Sequence, residues 1–100
     1  MTRWFSKWKG SPASYAVGLE WTKIVPKLLE AVKAGMDSGV VKDWQNFVGS
    51  EEGYMVWEGS ERQVYADIEK YRPYIDFEPI SPVWSLVDAI EISKEVGKLG

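Results

Sequence analysis

Residues Thr2 to Lys9 alternate in character. Trp4, Ser6 and Trp8 fall on one side of an extended chain and Arg3, Phe5, Lys7 and Lys9 on the other, which predicts a first strand. The same stretch also places Trp4, Phe5 and Trp8 on one helical face among basic residues. An interfacial helix, or a stacking surface for a single-stranded nucleic acid, would use that pattern. Two helical turns are too few to hold such a helix, so the strand is preferred. After Gly10 the period changes. Val17, Trp21, Ile24, Leu28, Val32 and Met36 recur at three- and four-residue steps from Tyr15 onward, and the stripe keeps its phase across Pro26. One kinked helix is predicted, entered at Ser11-Pro12 and closed at Gly35 or Gly39.

Val40 to Gly59 then reads as a hairpin, two aromatic and β-branched runs around the polar turn Gly49-Ser50-Glu51-Glu52-Gly53. Trp44, Asn46 and Val48 share one face of the first run. On the second, Tyr54, Val56 and Glu58 share one face and Met55 and Trp57 the other. Large apolar groups thus occupy both faces, which predicts a sheet covered on both sides. Ser60 and Gln63 form a capping box for a helix carrying Val64, Ile68 and Tyr71 inward and stopping before Pro73. Tyr74 to Ile80 is the expected fourth strand, with Pro79 and Pro82 suited to its end or edge. Ser85, with Asp88 three residues on, opens a last helix bearing Leu86, Ala89, Ile90, Val96 and Leu99.

The predicted order is strand, helix, strand, strand, helix, strand, helix. This is an α+β chain of the ferredoxin-like βαββαβ type, with a four-stranded antiparallel sheet, helices on one face and an extra C-terminal helix. Residues 1–100 form a single domain, which at this length buries only about 65% of its unfolded surface. Covering the second sheet face with a second copy of the chain, closing a barrel between subunits, is the expected solution.

Composition narrows the chemistry. Six Trp, five Tyr and three Phe give an unusually aromatic chain, suited to an aromatic core or to a surface that meets a partner or ligand. A net charge of −3 gives no general affinity for nucleic acid or anionic membrane. The absence of Cys and His removes disulfides, thiolate nucleophiles, the usual general base and the commonest metal ligands, so no cofactor or metal is expected. No apolar run is long enough to span a membrane, and no apolar signal-peptide core opens the chain, which makes the cytoplasm the expected compartment.

Candidate site residues follow from chemistry. Asn46 could polarise a bound carbonyl, or be a solvated strand position. Glu58 and Glu78 could serve as an acid–base pair, or end in water and in an ion pair. Arg72, in Tyr-Arg-Pro-Tyr, could clamp a carboxylate or stack on tyrosine rings. Trp4, Trp8, Trp44 and Trp57, with Tyr54, could line a pocket or fill an interface. Gly49 to Gly53 is no phosphate loop, since it lacks Lys and leads into a strand.

Val41-Lys42-Asp43-Trp44, Gly49 through Tyr54, Trp57-Glu58-Gly59-Ser60 and Tyr71-Arg72-Pro73-Tyr74-Ile75-Asp76-Phe77-Glu78 carry a resemblance. Across residues 2–80 the chain resembles small uncharacterised archaeal and bacterial proteins of the dimeric α/β-barrel group, which includes muconolactone-isomerase-like proteins and cofactor-free monooxygenases. The resemblance implies a homodimer and a pocket, but no particular reaction, and family enzymes that rely on histidine find no counterpart here. The leading expectation is a homodimer that binds a small apolar or aromatic ligand between sheet and helices. A cofactor-independent isomerase or monooxygenase, using Glu58 or Glu78 with Asn46 and Arg72, is one alternative. A structural or oligomeric module without catalysis is another.

Overall fold

The structure, a computed structural model, describes residues 2–12 and 21–99. In chain order these form β1 (Arg3–Gly10), α1 (Trp21–Ser38), β2 (Val41–Asn46), β3 (Glu52–Glu58), α2 (Glu61–Glu69), β4 (Ile75–Phe77), β5 (Ser81–Val83) and α3 (Leu86–Leu99). The class is α+β with one antiparallel sheet, ordered β2-β3-β1-β4, with β5 also paired to β1.

The strand phases predicted for β1 hold: Ser6 and Trp8 are buried, while Lys7 and Lys9 on the other side are exposed. Register then fixes which residues share a face, because directly opposed residues point the same way. Trp4 lies opposite Trp57, Ser6 opposite Met55 and Trp8 opposite Gly53. Trp44 lies opposite Met55. Trp4, Trp8, Trp44 and Trp57 therefore all belong to one inner face. Alternation sets phase within a strand, and only pairing between strands brings the Trp44 face of β2 and the Met55–Trp57 face of β3 to the same side. A bulge at Lys42 completes the arrangement. It lets Val41 and Trp44, an odd number of residues apart, both face inward.

Helices α1 and α2 cover this inner face. Val32 of α1 and Val64 and Ile68 of α2 join Trp8, Val41, Met55, Trp57 and Tyr71 in one buried cluster. Pro26 lies inside α1, as its unbroken apolar stripe predicts. Tyr15 and Val17, the first positions of that stripe, lie outside the described residues. Gly39 follows α1 with φ +86° and its N–H donates to the Met36 carbonyl, a left-handed cap open to glycine at little cost. The capping box of α2 is formed in full: the Gln63 N–H donates to Ser60 Oγ, and the Ser60 N–H donates to Gln63 Oε1.

The fourth strand is not continuous. The expected run Tyr74 to Ile80 is β4 alone at Ile75–Phe77, followed by a break containing Pro79 and then β5 at Ser81–Val83. The sheet thus has five strands where four were expected. Ser6 bridges the break, its buried hydroxyl donating to the Glu78 carbonyl at 2.6 Å, so a backbone acceptor freed from the ladder keeps a partner. Ser85 caps α3, its Oγ accepting from the Asp88 N–H. Leu86, Val87, Ile90 and Val96 of α3 stay exposed, as does Trp84 before it, and the molecule is elongated at 59 × 25 × 20 Å. Phe5, Tyr54, Val56 and Val83 lie half-buried on the outer sheet face.

Candidate functional site

A cleft of about 260 Å³ opens between the inner sheet face and α1. Each wall follows from a local pattern. Helix α1 contributes Val25, Leu28, Leu29 and Val32, which share one face at spacings of three and four. The sheet contributes Trp8, Trp44, Met55, Ile75 and Phe77 from four strands, and Tyr71 closes the wall from beyond the end of α2. Gly10, Asn46, Ser50 and Glu51 complete the described lining, the last three at the β2–β3 turn. Gly10 donates its N–H to the Glu51 carbonyl at 2.8 Å, which ties this turn to the end of β1.

Trp8 and Trp44 are stacked, with ring centroids 5.6 Å apart and planes only 9° from parallel. They come from strands separated by β3, so Trp8 must lean across β3 to reach Trp44. Gly53 permits it: a Cβ at that position would meet the Trp8 ring and the Gln45 carbonyl of β2. The Trp8 Nε1 is buried and makes no hydrogen bond among the described residues.

Behind the cleft lies a polar group that sequence reasoning missed. Asp67 is buried on α2. Its Oδ2 accepts from the Trp57 indole N–H at 2.9 Å and from the Tyr71 hydroxyl at 3.3 Å. Among the described residues its Oδ1 has no hydrogen bond, and it faces the half-exposed Lys70 ammonium at 3.5 Å, an ion pair longer than a hydrogen bond. Burial, and after it the Asp67 charge and hydrogen bond, push the Tyr71 phenol far above its ordinary range. Tyr71 is therefore a fixed neutral donor, not an acid in play near neutral pH. The signal was present in Val64, Asp67, Ile68 and Tyr71, which occupy one helical stripe at spacings of three, four and seven.

The residues singled out from the sequence are dispersed. Trp8, Trp44 and Asn46 line the cleft. Trp57 is wholly inside the core, and Trp4 packs against that core and donates its Nε1 to the Gly59 carbonyl at 3.0 Å. Tyr54 lies on the outer face against Phe5, and Glu58 is on the same face in an ion pair with Arg3 at 2.9 Å. Arg72 is exposed, 3.5 Å from Glu69. Arg72 and Glu78 both border a separate, more polar groove between α2 and β4. Asn46, Glu58, Arg72 and Glu78 therefore meet at no common point, and the described residues of the cleft include no acid–base pair. Leu28, Val32 and Tyr71, read from the sequence as apolar helix positions, and Met55, Ile75 and Phe77, read only as strand residues, also line the cleft. Among the described residues no three acidic side chains converge as a metal site would require, and no helix is long and apolar enough to cross a membrane.

The cleft offers aromatic and aliphatic walls, one stacked indole pair and a small polar rim. No protein-family model matches the chain, and no curated protein matches it.

Proposed function

We propose that this chain is a binding protein for a small, flat, apolar ligand held in the cleft between the inner sheet face and α1. The observation that carries this reading is the parallel Trp8–Trp44 pair in the wall of an otherwise aliphatic cleft. Apolar cavities of about 150 Å³ already take up benzene, so about 260 Å³ suits one or two fused rings. Titration of ¹⁵N-labelled protein with indole is the test. The indole N–H resonances of Trp8 and Trp44 are expected to shift, and that of Trp84, which is 68% exposed and away from the cleft, to stay. Trp44→Ala is expected to weaken binding about tenfold, the order expected for one lost stacking contact and its buried area. If none of the six tryptophan resonances moves at millimolar indole, the reading fails.

The same reading places the chain in a ferredoxin-like, dimeric α/β-barrel architecture, with a second copy covering Phe5, Tyr54, Val56 and Val83. Area supports this occupant. A face four strands wide presents roughly 500 Å², short of the roughly 800 Å² per partner of a stable interface. Adding α3 with its exposed Leu86, Val87 and Ile90 contributes roughly 200 Å² more, which brings the total to roughly 700 Å², inside the roughly 600–1,000 Å² per partner of standard-size interfaces. The outer face also carries Lys7 and Lys9 alongside Asp43, Glu52 and Asp76, so a two-fold axis can bring opposite charges together. Sedimentation at micromolar concentration is expected to give twice the chain mass, and a monomer would remove this part of the reading.

A further inference from the structure

We infer that the cleft selects cationic ligands: an aromatic ring carrying an amine, with the ring against the Trp8–Trp44 wall and the ammonium at the mouth beside Glu51. This rests on the ligand-binding reading above and deepens it. Among the described residues that line the cleft, Glu51 is the only charged one, and no Lys or Arg is present. An anion entering this cleft would lose hydration without meeting a cation. An ammonium meets a carboxylate at the rim, the Asn46 and Ser50 side chains beside it, and a half-buried indole, the ring type that attracts cations most strongly.

Two further features act in the same direction. The Glu51 backbone is fixed by the hydrogen bond from Gly10, so its side chain stems from a tethered point at the mouth and not from a free loop tip. The whole chain carries a net charge of −3, which raises the encounter rate of cations over anions.

The test uses three probes with one ring: tryptamine, indole and indole-3-acetate, each titrated into the ¹⁵N-labelled full chain at low salt. Tryptamine is expected to bind about tenfold more tightly than indole-3-acetate, the combined effect of one exposed attraction gained and one repulsion avoided. Indole is expected to fall between them, and the preference should shrink as salt is raised. Glu51→Gln is expected to narrow the tryptamine to indole-3-acetate ratio about fivefold. If indole binds and indole-3-acetate binds equally well or better, the cationic preference is overturned and the ligand-binding reading survives. If Glu51→Gln leaves the ratio intact, Glu51 is not its source and the inference fails. If none of the three probes shifts Trp8 or Trp44, the ligand-binding reading and this inference fall together.

Discussion

Trp57→Ala is expected to leave little folded protein at room temperature. The Trp57 side chain has 0% exposure and sits at the junction of β3, α2 and β4, with its ring 5.8 Å from that of Phe77. Truncating a buried aromatic to alanine costs about 3–5 kcal/mol. Here it also strips Asp67 of its shortest hydrogen bond, and a buried acceptor deprived of a partner costs about 1–3 kcal/mol more. The total is comparable with the entire stability of a typical domain, about 5–15 kcal/mol. Urea unfolding followed by far-UV circular dichroism reads this directly. Trp57→Phe keeps a ring in the core while removing the N–H donor and part of the indole volume, so it should cost clearly less than Trp57→Ala. A loss below about 2 kcal/mol for Trp57→Ala would contradict the burial and the Asp67 bond together.

The second large effect is expected at Gly53. Alanine there brings a methyl group onto the Gln45 carbonyl of the neighbouring strand and onto the Trp8 indole. The carbonyl belongs to the ladder and cannot move without breaking pairing, so the ring alone cannot relieve the collision. Overpacking of this kind costs about 1–3 kcal/mol, and the backbone contact puts Gly53→Ala at the upper end. The effect has a spectroscopic counterpart. Two parallel indoles 5.6 Å apart couple their electronic transitions, and pushing Trp8 off β3 should abolish the resulting near-UV signal and weaken indole binding along with it. An unchanged melting midpoint with the coupled signal intact would show that Trp8 does not rest on Gly53.

Much of the scaffold was legible because its signals are local. The capping box at Ser60 and Gln63 fixes the start of α2 from four residues. The apolar stripe of α1 persists through Pro26 because burial against the sheet outweighs one missing hydrogen bond. The alternation of β1 was readable because Ser6 and Trp8 are buried while Lys7 and Lys9 are not. What was not legible depends on pairing between distant segments. The common face of Trp44 and Trp57 needs the β2–β3 register, and that of Val41 and Trp44 needs the bulge at Lys42. The division of the fourth strand needs a buried Ser6 hydroxyl far away in sequence to receive the Glu78 carbonyl. The cleft itself combines one helix stripe with side chains from four strands. Its strongest sequence signal, the tryptophans, mixed two that line the cleft with Trp57, which the core consumes entirely.

The interrupted fourth strand also bears on how this chain behaves when crowded. A sheet grows by templating when an edge offers an even row of free N–H and carbonyl groups. Here one edge is kinked at Lys42, and the other is cut between Phe77 and Ser81, with Pro79 in the gap and Pro82 in β5. Neither edge can seed an ordered stack of identical strands, so a chain rich in aromatic, β-prone segments is protected against fibril growth by the same irregularities that shape its cleft.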